Sequence, residues 1–275
     1  MKFKYSISIL ALALVAACST NPFTGKSTLA LVPNSQIFPS SFAQYDQFLS
    51  ENKVVKGTSE AQMITRVGER IKTAAERWMN ANGHESYLSG YEWEYNLVND
   101  KTVNAWCMPG GKIVFYTGIL PIAENETAIA AIMGHEVAHA LANHGQQRMS
   151  AGLLQQLGAV AGNVAIQDDK SRDMFNQAYG VGSTVGVMLP FSRSHETEAD
   201  KIGLYLMAIA GYNPDEAAKL WERMKANSGG EAPPEFLSTH PSNDSRIAEL
   251  QKLAPTAKEE AAKFGVTSYR ALGKY

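Results

Sequence analysis

The stretch GHEVAHALANH, residues 134–144, sets two histidines four apart with a glutamate directly after the first. On a helix, His135 and His139 stand one turn apart on one side, where two imidazoles can reach a single metal ion. Glu136 lies about 100° further round the helix. It does not share the ligand positions, but it can reach a water molecule beside the ion, which is the place of a general base. A chance HExxH in a chain of this length and composition has a probability on the order of one per cent. The chemistry implied is metal-assisted hydrolysis.

A catalytic zinc takes three protein ligands and keeps one position open. His144 is five residues past His139 and turned about 140° from it, so it points elsewhere, and position 145 is glycine. Further on, FSRSHETEAD places Glu196 and Asp200 one helical turn apart. Glu196 can bind the metal, and Asp200 can accept a hydrogen bond from a ligand histidine's other N–H, fixing its tautomer. His195 points away from that face, and Glu198, on roughly the opposite face, is expected to meet solvent. Spacing alone leaves Glu124 and Glu126 open as alternatives to Glu196.

The HExxH helix and SRSHETEAD stand in one chain with NPFTGK (21–26), VNAWCMPGGKI (103–113) and THPSNDSRI (239–247). Together these resemble the gluzincin metallopeptidase family that includes the CAAX prenyl protease, HtpX and the Oma-type proteases. The likeness is nearest to its soluble LoiP- and BepA-like periplasmic branch, and within that to a LoiP-like outer-membrane lipoprotein. It covers most of the chain beyond residue 18, with the motifs in the family's order. The resemblance implies a zincin-type peptidase domain with one Zn2+ per chain, held by His135, His139 and Glu196. Glu136 is then the general base, and Asp200 stands behind the ligands. His240 would lie near the zinc as a catalytic residue, stabilising the oxyanion or filling the open position and holding the enzyme latent; a structural loop histidine is the plainer reading. Arg246 would pair with a carboxylate near the site or brace its loop. The implied function is a zinc-dependent endopeptidase of the bacterial cell envelope that degrades damaged or misassembled proteins. The alternative is a latent, chaperone-like outer-membrane assembly factor that holds clients in the peptidase cleft, with the assembly machinery as its partner. The intact His135, Glu136, His139 and Glu196 favour the enzyme, because a pure binding module gains nothing from a general base.

A cleft needs a wall. YEWEYNLVND alternates apolar with polar residues, as a half-buried strand does, and PGG (109–111) is a turn signal between two β-prone runs. The expectation is a small antiparallel sheet beside the HExxH helix. Asn104, Ala105 and Trp106 would offer it an edge to which an extended peptide could add by main-chain hydrogen bonds. Asn104 either holds substrate or caps the chain before the turn.

The remaining elements read as helices. Met63, Ile64, Val67, Ile71, Ala74, Ala75 and Trp78 recur at three- and four-residue spacing within 41–82. A long helix is expected from Glu124 to Met149, with Asn125 as its cap. Residues 150–189 are rich in Ala, Gly, Leu, Val and Gln. They suit either membrane contact or a partly buried helical hairpin, and the polar residues that interrupt them favour the hairpin. A helix follows from His195, another begins with Asn213 as cap and Pro214 in its first turn, and a last one starts near Asp244. The fold class is α+β, mainly helical.

At the N-terminus, MKFKYSISILALALVAAC has two lysines, an apolar run and small residues before Cys18, the pattern of a secretory leader. LVAAC resembles a bacterial lipobox, which makes Cys18 the lipidated first residue of the mature chain. Ser19, rather than aspartate, then implies the outer membrane, lipid-anchored at its periplasmic face. The expected organisation is a lipoprotein signal peptide over 1–17, a lipid-anchored tether over 18–40 and a zinc metallopeptidase domain over 41–275. Partners would be the membrane, through Cys18, and unfolded or misassembled envelope proteins as substrates. Formal charge is −2, which gives no basic field for nucleic acid. With Cys18 acylated, Cys107 has no intramolecular disulfide partner.

Overall fold

The computed structural model describes residues 18–184, 188–227, 235–241 and 244–273; the expected signal peptide, 1–17, lies outside them. In chain order the elements are β1 (Cys18–Thr20), β2 (Ser27–Leu29), α1 (Asn34–Glu51), β3 (Val54–Val55) and α2 (Ser59–Ala81). Then come β4 (Glu94–Val98), β5 (Ala105–Met108), β6 (Lys112–Tyr116), a 3-10 turn (Thr117–Ile119), α3 (Leu120–Ala123) and α4 (Glu126–Leu141). The chain continues with α5 (His144–Ala165), α6 (Asp169–Ser183), α7 (Leu189–Ile209), α8 (Asp215–Asn227), α9 (Glu235–Thr239) and α10 (Asp244–Lys263). The fold is α+β and mainly helical, as expected.

The chain forms two compact units. The larger combines Phe38–Ala142 with Glu196–Tyr275. The apolar stripe read from the sequence is buried along one side of α2, from Met63 to Met79. Thr58 caps this helix by accepting a hydrogen bond from Ala61 N at 3.2 Å. The sheet order is β3-β4-β6-β5. β5 and β6 pair antiparallel across the Pro109–Gly111 turn, where Gly110 and Gly111 have φ of 90° and 89°. One pairing departs from the expected antiparallel sheet, because β4 and β6 run parallel. β5 skips a position to the sheet edge, and the hairpin folds back into the gap, so β6 runs with β4.

Asn125 starts α4, its side chain accepting from Ala128 N at 2.8 Å. Every α4 residue from Thr127 to Leu141 is buried. The expected single helix over 124–149 is two helices. Glu124 has φ 65° and Asn143 has φ 55°, left-handed backbone that asparagine tolerates better than most residues. α4 therefore begins after the first of these residues and closes before the second.

The smaller unit combines the chain up to Ile37 with Asn143–His195. The stretch read as a tether carries β1 and β2, paired antiparallel with Cys18 opposite Leu29, and the first turns of α1. Leu31 N donates to Ser150 Oγ at 3.1 Å, and Gln146 Nε2 donates to Val32 O at 2.8 Å, so this stretch is bonded to α5. α5 and α6 form a helical hairpin. No described helix is long and apolar enough to cross a membrane.

Candidate metal centre

α4 and α7 cross at two glycines. A Cβ added to Gly134 would lie 2.7 Å from Gly203 O, and one added to Gly203 would lie 2.8 Å from His135 N. Backbones can approach this closely only where neither residue carries a side chain. Glu196 and Asp200 precede Gly203 by seven and three residues, on one face of α7. The crossing brings that face to His135 and His139.

Four side chains converge there. His135, His139, Glu196 and His240 each offer one ligand atom, all within 4.8 Å of one another. His135 Nε2 and His139 Nε2 are 3.1 Å apart. Glu196 lies 3.3 Å from each, through Oε2 and Oε1 respectively. Ligands about 2.0–2.1 Å from a tetrahedral zinc stand about 3.3 Å from each other, so the two imidazoles and the Glu196 carboxylate, which turns one oxygen to each, have the spacing of three zinc ligands. His240 Nδ1 is 3.1 Å from His135 Nε2 and 2.9 Å from Glu196 Oε2, which puts it at a fourth corner.

The ligands are held from behind. His135 Nδ1 lies 3.0 Å from Asp200 Oδ1. An N–H there donates to the carboxylate and leaves Nε2 with a lone pair for an ion. Asp200 in turn accepts from Arg246, from Nε at 2.8 Å and from Nη2 at 2.7 Å, a two-point grip. Arg246 also donates through Nη1 to Pro241 O at 3.1 Å, tying down the loop behind His240. Its guanidinium stacks 3.7 Å over the Trp221 ring, which meets Phe236, which meets His240. Sequence reasoning missed Trp221, Phe236 and the glycine pair. The signals for the pair were a glycine directly before His135 and another in the IGLY stretch of α7.

The charges fit a cation. Burial would raise the Glu196 carboxyl, but hydrogen bonds from His135, His139 and His240 hold it well below the carboxylate range. Asp200 is likewise raised by burial but held low by Arg246 and His135. Burial opposes protonation of His135, and Asp200 and Glu196 outweigh it, lifting the ring to about 9. Glu136 behaves differently: burial pushes it up, against His240 and His135. Its Oε1 is buried with no hydrogen-bond partner, with His240 Nε2 3.4 Å away. A carboxyl with raised proton affinity beside the ligand cluster suits a group that takes and returns a proton.

The other candidates lie elsewhere. Glu126 is bound by Arg66, Arg70 and Tyr212, and Glu124 lies 3.7 Å from Arg223. His144 stacks on His195, whose Nε2 lies 3.0 Å from Gln147 Oε1, within the smaller unit. Glu198, expected to meet solvent, is buried, because α7 is covered nearly all round from there to Ile209. Ala105 and Trp106 open β5, the outer strand of the sheet, which packs beside α4. The Trp106 ring packs against Tyr45 and Phe48. Asn104 Oδ1 accepts from Ala105 N at 2.9 Å and its Nδ2 donates to Glu235 at 3.0 Å, so the side chain caps the strand's first N–H. Cys18 is exposed at the start of β1.

The family model for Peptidase family M48 matches residues 66–254. The mitochondrial metalloendopeptidase OMA1 of Schizosaccharomyces pombe is 38% identical over 175 residues, covering 63% of this chain and 50% of that protein. Human metalloendopeptidase OMA1 is 28% identical over 259 residues, covering 86% of this chain and 46% of that protein. The beta-barrel assembly-enhancing protease of Escherichia coli is 26% identical over 194 residues, covering 66% and 39% respectively. The chain spans about half the length of the curated OMA1 relatives it matches.

Proposed function

The chain belongs to peptidase family M48, and on that premise we propose that it is a zinc-dependent endopeptidase of the bacterial cell envelope. The observation that carries the reading is the 3.1–3.3 Å triangle of His135, His139 and Glu196, with buried Glu136 beside it. His135, His139 and Glu196 hold the ion. Zinc, when bound, supplies Lewis acidity, lowering the pKa of a water to about 7 and polarising the scissile carbonyl. Glu136 takes the proton from the attacking water and returns it to the leaving amine. Asp200 and Arg246 fix the His135 tautomer and keep the ligand face from turning. Among the described residues the outer edge of β5 has no strand partner, and it offers an extended substrate main-chain hydrogen bonds from Ala105 onward. Such binding reads the backbone more than the sequence and suits the degradation of damaged or misassembled proteins. The lipobox-like LVAAC and the resemblance to LoiP-like lipoproteins support an outer-membrane location through lipidated Cys18. The likeness to the Escherichia coli protease agrees with an envelope role.

A second reading, latency, has its own observation. His240 Nδ1 sits at the corner a substrate carbonyl or water would need, 2.9 Å from Glu196. With His240 there, the site binds an ion but cannot turn over until the loop moves.

One matched set tests both: bound zinc and casein cleavage by the mature chain, wild type beside Glu136→Gln and His240→Ala. The peptidase reading expects stoichiometric zinc in wild type and Glu136→Gln, with cleavage lost by about 10²–10⁴ in the variant. Latency expects His240→Ala to cleave faster than wild type. Equal cleavage by wild type and Glu136→Gln would sink the assigned base. A folded wild type without metal would sink the centre itself.

A further inference from the structure

Among the described residues, the large apolar side chains left exposed all lie between Met149 and Leu189, apart from Leu272. Those of α5 include Met149, Leu153, Leu157, Val160 and Val164, which recur every three or four residues. They form one stripe about 22 Å long on the helix. Its outer part is wide open: Leu157 is 55% exposed, Val160 60% and Val164 78%. On α6, exposed Met174 and Val181 are also a multiple of a helical turn apart.

Several polar groups of the hairpin bond across it, and its long flanks carry no charge. Residues 149–165 and 174–183 contain no charged side chain. Asn163 and Asn176 exchange amide hydrogen bonds of 2.7 and 3.0 Å, and Gln155 Nε2 donates to Ser183 Oγ at 2.7 Å. Tyr179 Oη donates to Gln155 O at 3.1 Å. The helices join through Gly158 and Gly162, where an added Cβ would strike Tyr179 and Phe175 at 2.1 Å. Small residues at the contact and amide bonds across it are how helices associate where the surroundings cannot hydrogen-bond. The charges gather at the tip, 168–173, where Arg172 bonds Ile166 O and Asp169.

An uncovered stripe of this length marks a contact surface. What covers it is indicated by Cys18. The seventeen residues before it read as a leader ending at an acylated cysteine. Cys18 opens β1 in the same unit as the stripe, and the chain after β2 is bonded to α5 through Leu31 and Val32. We propose that the α5–α6 hairpin lies on a lipid bilayer, with the Met149–Val164 stripe sunk into the boundary between headgroups and acyl chains. It lies on the membrane and does not span it, because no described helix is long and apolar enough to cross. Arg148 is the one cation beside the α5 stripe, at its first residue, and none lies within it, so binding depends mainly on apolar burial and little on anionic lipid.

This inference is independent of the peptidase reading. It shares only Cys18 with the envelope reading, and the test removes that dependence. The mature chain carrying Cys18→Ser is mixed with vesicles of phosphatidylcholine alone and of phosphatidylethanolamine with phosphatidylglycerol, then sedimented at low and high salt. The expected result is co-sedimentation with both vesicles at both salt concentrations. The triple variant Leu153→Asn, Leu157→Asn, Val160→Asn should bind more weakly by about tenfold or more, with unchanged circular dichroism. A fluorophore on Val164→Cys should shift to the blue with vesicles; this readout needs no triple variant. Binding only to the anionic vesicles and released by salt would overturn the proposal in favour of surface charge. No binding, with the triple variant changing the oligomeric state, would overturn it in favour of a second copy of the chain. No binding and no change in oligomeric state would overturn it outright.

Discussion

α4 and α5 follow one another with only Ala142 and Asn143 between them, yet they break the usual sorting of residues in opposite directions. α4 takes His135, Glu136 and His139 into the interior, where polar groups are costly. α5 leaves Leu157, Val160 and Val164 in water, where apolar groups are costly. A buried polar cluster and an exposed apolar stripe are the two departures that carry information about function. The difference lies in what offsets each cost. Around α4 the chain supplies the compensation itself, through Asp200, Arg246 and the convergence of ligand atoms. Along α5 the amides of Gln155 and Asn163 bond across to α6 and leave the apolar stripe open, and on the membrane proposal the compensation comes from the bilayer.

The sharpest way to break this comparison is to put the same polar residue on each helix. Ile129 of α4 is fully buried. Ile129→Asn removes buried methyl groups and strands an amide, so it should destabilise the chain by about 4 kcal/mol or more in denaturant unfolding. Leu157→Asn on α5 should change stability by less than about 0.5 kcal/mol. Equal losses would mean that the stripe is covered in the detergent-free protein, and the contrast between the helices would vanish.

The next effect tests the crossing that assembles the centre. Gly203→Ala puts a methyl 2.8 Å from His135 N, against backbone that cannot swing away. The helices must part, at a cost of about 1–3 kcal/mol, and zinc affinity should fall with stability because both ligand faces move. Asp200→Asn is subtler. It leaves the crossing intact but takes the charge from the group that orients His135 and grips Arg246. Zinc affinity, measured by competition with a chelator, should fall about 10- to 100-fold with little change in helix content. A stable Gly203→Ala with full zinc binding would show that the glycine pair is incidental.

These effects also mark what the sequence made legible. His135 and His139 could be placed together because the helix repeat fixes i and i+4 on one side, whatever the rest of the chain does. The choice among Glu196, Glu124 and Glu126 could not be made from spacing, since it depends on where α7 crosses α4, and two glycines set that. Trp221 and Phe236 gave no signal, because a helical aromatic in the interior reads as ordinary packing. Periodicity also gave the α5 stripe its residues without saying whether anything covers them. The break at Asn143 escaped because the polar residues around it continue a helical pattern, and only the left-handed backbone at φ 55° ends it.

The smallest effect tests how α4 begins. Burial raises Glu126, but hydrogen bonds from Arg66 and Tyr212, with the charge of Arg70, outweigh it and hold the carboxyl below its ordinary 4.5. It also stands in the first turn of α4, where the helix dipole favours an anion. A carboxyl lowered by folding contributes stability that is fully present above its unfolded value and is lost as pH falls through the folded one. Glu126→Gln should therefore be less stable than wild type by about 1 kcal/mol near neutrality, given the partial exposure of Arg66 and the screening of such pairs. The gap should hold down to about pH 4.5 and close below it, as wild type protonates the group the variant lacks. Denaturant titrations of both chains across that window read the difference directly. A gap that stayed open in acid would mean that the substitution disturbs packing rather than charge, and the anchor of α4 would then be Asn125 alone.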